Sequence, residues 1–168
     1  MTRQVSLLVT FFLTACGAAQ TVPETAPPDA EAAIGAVLDD WHDAAASSDE
    51  ARYFGHFAAD GVFLGTDATE RWDVAAFRAY AHPHFAEGHG WAMRSVRRDI
   101  AVEGHLAWFD EDLATERLGP CRGSGVLRWD GERWRIVQYN LALTVPNERF
   151  AEVHALLEAA GRADDSQP

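Results

Sequence analysis

Between residues 30 and 46 the apolar positions Ile34, Val37, Leu38 and Trp41 recur at i, i+3, i+4 and i+7, the spacing of a helix with one buried stripe. Ser47, with Glu50 three residues later, matches a capping box opening a second helix, with Tyr53, Phe54 and Phe57 as its apolar face. Asp60-Gly61 then breaks the chain into a short strand, Val62-Phe63-Leu64. Asp73 can cap a third helix carrying Val74, Phe77, Tyr80 and Phe85, with Pro83 disturbing its end.

From Trp91 the apolar period shortens to that of strands. Residues 91–102, 106–116, 121–129 and 134–145 are strand-length runs, and Gly104-His105 and Asp130-Gly131 look like tight hairpin connections between them. Pro146-Asn147 ends the last strand. Phe150, Val153, Leu156 and Leu157 then mark a terminal helix that Gly161 stops. Helices followed by an antiparallel meander predict an α+β fold, in which a strongly curved sheet wraps over helices as a cone with an internal cavity. On the last strand Trp134, Ile136, Gln138 and Asn140 fall on one face, and Val137, Tyr139, Leu141 and Leu143 on the other. Both faces are partly apolar. Helices can cover one, and a second copy of the chain is the natural cover for the other, which predicts a homodimer.

The N-terminus follows a different pattern. Arg3 precedes Val5–Leu13, an uncharged, mostly apolar run of nine residues. That is too short to span roughly 30 Å of hydrocarbon, which takes about 20 helical residues, but it suits a secretory signal. Leu13-Thr14-Ala15-Cys16 reads as a bacterial lipobox, after which Cys16 would be the acylated N-terminus; an ordinary signal cut after Ala19 is the competing reading. Pro23, Pro27 and Pro28 make residues 17–30 an extended tether, reaching roughly 40 Å at about 3.1 Å per residue. The expected organisation is a signal peptide over 1–15, lipidated Cys16 and tether over 16–30, one domain over 31–161, and a disordered tail over 162–168. The expected location is the bacterial cell envelope, lipid-anchored and facing the periplasm or exterior.

The net charge of −12 becomes −13 once Arg3 leaves, which disfavours nucleic acid and anionic lipid headgroups as partners. The anchor would therefore hold the membrane unaided. With Cys16 lipidated, Cys121 is a lone thiol, read as a small, partly buried side chain rather than a nucleophile.

Several segments together carry a family resemblance. Gly65-Thr66-Asp67, Glu70-Arg71-Trp72, Ala107-Trp108-Phe109-Asp110-Glu111, Arg122-Gly123-Ser124-Gly125-Val126-Leu127, Trp134-Arg135-Ile136-Val137-Gln138-Tyr139-Asn140-Leu141 and Pro146-Asn147 resemble the SnoaL-like branch of the nuclear transport factor 2-like superfamily, over roughly residues 31 to 160. The resemblance implies a cone-shaped α+β fold, usually dimeric, with a pocket between sheet and helices. It implies no single function, because members include isomerases, dehydratases, cyclases, small-ligand binders and assembly modules.

The superfamily's enzymes use acid–base chemistry inside an apolar cavity, so a carboxylate there is the first candidate. Asp110 and Glu111 are adjacent on a strand and point to opposite faces. Glu111 shares its face with Ala107, Phe109 and Leu113, and is the inward acid on this reading. The competing reading pairs it with a buried Arg122 or Arg71. Trp41, Tyr53, Trp72, Phe85, Trp91 and Phe109, with Arg122, are the expected pocket lining, and Trp108 can join them. Ordinary core packing explains most of these aromatics. Gln138 and Asn140 would form the polar end of an apolar wall, suited to orienting a carbonyl or hydroxyl.

His82, His84 and His89 beside Glu87 raise the question of a metal, but the segment reads as a solvated loop or helix end, and no metal or other cofactor is expected. His42 and His56 read as helix residues at a wet margin first and pocket bases second. The glycines of 122–125 suggest close packing or a bulge. Two functions remain open. One is a membrane-tethered, non-catalytic cone domain binding a small apolar or amphipathic ligand, or a partner. The other is an isomerase, dehydratase or cyclase using Glu111 or a His. An Arg-paired acid, or a cavity filled by side chains, would favour the first.

Overall fold

A computed structural model describes residues 27–164, with side chains described as far as Ala160. The proposed signal peptide, Cys16 and most of the tether lie outside the described residues. Among the described residues no helix is long and apolar enough to cross a membrane.

Helix α1 spans Ala30–Ala46, as its spacing predicts, and buries Ile34, Leu38, Trp41, His42, Ala44 and Ala45. Ser47 does not open the next helix. Its backbone N–H bonds to Asp43 O, which finishes α1, and Ser48 turns the chain at φ 57°. Asp49 is the true cap of α2 (Glu50–Gly55), accepting from Arg52 N at 3.1 Å.

Strand β1 starts earlier than expected, running over Phe57–Leu64. Phe57 belongs to it because the neighbouring His56 O accepts from Ile136 N at 2.9 Å. Asp60-Gly61 sits inside a bulge rather than before the strand. A Cβ at Gly61 would lie 2.9 Å from Ala58 O and 3.1 Å from Ile136 O, so only glycine fits there. A short strand β2 (Arg71–Asp73), unforeseen in the sequence, pairs antiparallel with β1. Asp73 then caps α3 (Val74–Ala86) through Ala76 N at 2.8 Å, and Pro83 sits in the last turn without ending it.

The remaining strands are β3 (Met93–Glu103), β4 (Leu106–Thr115), β5 (Gly119–Trp129) and β6 (Trp134–Leu143). Gly104-His105 forms the two-residue turn between β3 and β4. The β5–β6 loop is longer than a tight turn, because Trp129 pairs with Trp134. Asp130 organises that loop by accepting from Glu132 N and Arg133 N, each at 2.9 Å.

The sheet order is β2-β1-β6-β5-β4-β3. It is mixed rather than purely antiparallel, since β1 runs parallel to β6. Bulges at Val96 in β3 and Val137 in β6 help to curve it around the helices, giving the cone-like α+β fold. The second bulge also corrects the face assignment of β6. Beyond Val137 the alternation reverses, so Tyr139 and Leu141 join Trp134 and Ile136 inside, while Gln138 is exposed and Asn140 half-buried on the outer face. A 3-10 turn (Asn147–Arg149) leads into α4 (Phe150–Asp164), which continues past Gly161. Its apolar residues Phe150, Leu156 and Leu157 stay exposed.

Candidate functional site

Glu111 lies on the inward face of β4 between Phe109 and Leu113 and is 0% exposed. Two side chains close on its carboxylate. From α1, His42 places Nε2 2.7 Å from Oε1. From β3, Arg98 donates Nε to Oε2 at 2.9 Å, with its Nη2 at the same distance from that oxygen. Arg98 also donates Nη1 to Asp39 Oδ1 at 2.8 Å and to Gly35 O at 3.2 Å, tying the sheet to α1. Burial would push the Glu111 carboxyl up, but the hydrogen bond and charge of His42 and the charge of Arg98 outweigh it and hold it below its ordinary value. Glu111 is therefore ionised at neutral pH.

The partner expected for Glu111 was Arg122 or Arg71; it is Arg98. Arg122 follows inward-facing Cys121, so it projects from the outer face and meets Asp112 at 3.3 Å. It points away from the cone interior, and Arg71 is exposed on β2. Arg98 stands directly opposite Glu111 in the β3–β4 register. Counting back from the two-residue turn at Gly104-His105 gives that pairing, a signal present in the sequence.

Glycine makes the site possible. Gly123 faces Glu111 across β5, and a Cβ there would collide with Tyr139 Oη and come within 3.0 Å of Glu111 Oε1. Tyr139 Oη is buried without a hydrogen-bond partner among the described residues. Burial, and then the negative charge of Glu111, push its pKa well up, so the phenol stays neutral. Neither His42 nor Tyr139 stands out in the sequence as a neighbour of Glu111, because each comes from an element distant in the chain.

The expected aromatic lining packs as core. Trp41, Tyr53, Phe85 and Phe109 are buried. Trp41 lies 5.1 Å from Tyr53 and 4.6 Å from Tyr139, measured between ring centres, and Tyr53 lies 5.3 Å from Phe85. Phe109 approaches Tyr139 at 6.1 Å. Trp72 stacks on Phe77 and Tyr80 at the β2 edge, and Trp91 meets Phe85 edge-on at 5.2 Å; both are half-buried. These rings fill the space between helices and sheet. Trp108 stands on the outer face, 49% exposed, with Gln138 and Asn140 on the same side of the sheet.

Space for a ligand opens instead beside α1. A cleft of about 660 Å³ lies between Asp39, His42, Asp43 and Ala46 of α1, residues 92–95 at the start of β3, and Ala114, Thr115 and Glu116 at the end of β4. His42 belongs to both places: its Nε2 holds buried Glu111 and its ring lines the cleft. Because an ionised carboxylate takes a proton donor, Nε2 donates its hydrogen to Glu111.

The other titratable groups do not converge. His82 bonds Glu50 at 2.7 Å, His89 lies 3.3 Å from Glu87, and His56 bonds Asp40 at 2.8 Å. Among the described residues no group of three or more His, Cys, Asp or Glu is placed to hold a metal ion. Cys121 is buried, and burial pushes its thiol up, away from the reactive thiolate.

A family model for the SnoaL-like domain matches residues 34–146. The chain belongs to the SnoaL-like family. No curated protein matches it. Among solved structures, this SnoaL-like chain is similar to an NTF2-like protein of unknown function from Pseudomonas putida, at 15% identity and TM-score 0.61 over 73% of this chain and 92% of that one. It is similar to a domain of unknown function with a cystatin-like fold from Nostoc punctiforme, at 17% identity and TM-score 0.61 over 83% and 95%. A candidate ketosteroid isomerase from Parabacteroides distasonis matches at 15% identity and TM-score 0.55 over 67% and 86%. At such identities the likeness is one of fold, the nuclear transport factor 2-like cone.

Proposed function

We propose that this chain is a membrane-tethered, non-catalytic SnoaL-like domain that binds a small amphipathic ligand in the cleft beside α1. One observation carries the reading. Glu111, the buried acid, is held by Arg98 and His42 at 2.9 and 2.7 Å, while aromatic side chains occupy the cone where a substrate would lie. An acid neutralised in this way is poor at moving protons, and its burial is explained by the partners it joins. The lipobox at Cys16 supports the tether. Exposed Trp108 and Leu106 on the outer sheet face support a second copy as cover, and hence a homodimer.

A second reading, an isomerase-, dehydratase- or cyclase-type enzyme, is favoured by the His42–Glu111 contact. A carboxylate that fixes an imidazole and leaves its other nitrogen open is how general bases are built. It ranks second because the Arg98 charge offsets that of Glu111 and weakens its support for an imidazolium. Glu111→Gln separates the two. The binding reading expects a large loss of thermal stability, with ligand retention failing only as the fold fails. Unchanged stability with lost turnover would install the enzyme. Native mass spectrometry of protein purified from its own envelope would identify a retained ligand.

A further inference from the structure

Among the described residues α4 packs on the 3-10 turn that leads into it and makes no extensive contact with the sheet or with α1–α3. Its sequence is nevertheless patterned for burial. Phe150, Val153, Leu156, Leu157 and Ala160 fall on one stripe of the helix. Phe150, Leu156 and Leu157 are 55%, 70% and 66% exposed. An isolated helix of about 15 residues is marginal in water, and a glycine such as Gly161 weakens it further. The stripe needs a surface to lie on.

The outer sheet face is such a surface. The register sets Ala101, Trp108, Val126 and Gln138 in one row across β3 to β6, with Leu106 in the next row. The guanidinium groups of Arg97, Arg122 and Arg128 are met by Asp110, Asp112 and Asp60 of the same chain. What this face offers a partner is therefore apolar. Its area is small for that purpose: half-open Trp108 supplies on the order of 100 Å², against roughly 800 Å² per copy in a stable interface. The three large side chains of α4 are all more open than Trp108, and adding them more than doubles the apolar surface on offer.

The helix is badly placed to cover its own sheet. Thr144 N and Oγ1 both donate to Pro120 O, at 3.1 and 3.0 Å, which ties the chain to the start of β5 where it leaves the sheet. Trp108 pairs with Val126, further along β5 by roughly 20 Å at about 3.3 Å per residue. Reaching it in cis would require the chain to double back at Thr144–Pro146, against those bonds. A membrane surface suits the helix no better. Between residues 148 and 160 it carries Glu148, Glu152 and Glu158 against Arg149, whereas helices that lie on membranes carry basic polar faces.

We infer that α4 is a dimerisation arm, whose stripe of Phe150, Leu156 and Leu157 lies on the outer sheet face of a second copy and covers Trp108 and Leu106 there. In a twofold pair each copy gives one arm and takes one, so both apolar surfaces are covered at once. The inference rests on the homodimer reading above and names the element that holds the two copies together.

The test compares three full-length chains in detergent by density-matched sedimentation equilibrium: the native chain, Trp108→Glu, and the double variant Leu156→Glu/Leu157→Glu. The native chain should be a dimer. The double variant should weaken association by about a hundredfold, the scale of two leucines left in water, with its near-UV circular dichroism unchanged. Trp108→Glu keeps the arm and loses the surface that receives it, while the double variant does the reverse. Mixing the two should therefore give a heterodimer at concentrations where each alone is a monomer. If the double variant stays dimeric, as it would were α4 bound to a membrane or another protein, the arm is overturned and the homodimer stands. If both variants are monomers and their mixture gives no heterodimer, the arm-to-sheet contact is overturned. A native chain that is itself a monomer overturns both the arm and the homodimer.

Discussion

At Glu111 a buried acid owes its ionisation to two neighbours, and the consequence can be measured. Its folded pKa lies below the ordinary 4.5, so the network contributes fully above that value and is lost as pH falls through the lower folded value. Acid unfolding should therefore steepen below pH 4.5, and Glu111→Gln should flatten that limb while leaving Arg98 without its main partner. Breaking such a buried pair costs about 3 kcal/mol or more, which lowers Tm by roughly 10 °C in thermal denaturation near neutral pH. Tyr139 offers the opposite case. Its hydroxyl is buried with no hydrogen-bond partner among the described residues, so Tyr139→Phe should be neutral or stabilising by up to about 1 kcal/mol in the same assay. A fall of several degrees would mean that the hydroxyl has a partner the fold needs. The inward direction of Glu111 was legible from period-two alternation. Arg98 was legible too, by counting back from the Gly104-His105 turn, whereas His42 required the packing of α1 on the sheet.

Among elements, α1 was readable to the residue because four apolar positions define its stripe and nothing competes with them. The start of α2 was misread because Ser47 and Asp49 are both good caps, and only the positive φ of Ser48 shows which one the chain uses. Strand β6 was misread for a different reason. A single extra residue, Val137, reverses the alternation, and no local propensity marks it. Gln138 and Asn140 consequently leave the cone wall that simple alternation assigns them. Asp73 tests the capping logic directly. It accepts from Ala76 N at 2.8 Å, and Asp73→Ala should cost about 1 kcal/mol in denaturant unfolding, with the effect confined to a lower midpoint.

For the whole molecule, the α+β class and the order of helices before sheet were legible, while the mixed pairing was not. Nothing in the spacing of Phe57–Leu64 shows that it will lie parallel to the last strand. The outer sheet face carries Trp108 and Leu106 at 49% and 39% exposure beside a ladder in which Arg97 meets Asp99, Asp110 and Asp112. The proposed homodimer makes Trp108→Glu a monomer in light scattering at concentrations where the native chain is a dimer, with its far-UV circular dichroism unchanged. The proposed anchor makes Cys16→Ala release the chain from membranes and abolish its labelling by a fatty-acid probe.

The parallel contact between β1 and β6 also sets a timetable. The strand that enters the sheet first must wait for the strand made last, so the β1–β2 pair, with α3 packed on it, joins the rest of the sheet only once β6 exists. Loop closure over such a span is slow relative to the local β3–β6 hairpins, which can form on their own. On the proposed export to the envelope, that delay would keep the chain unfolded, and therefore threadable, until its last strand is available.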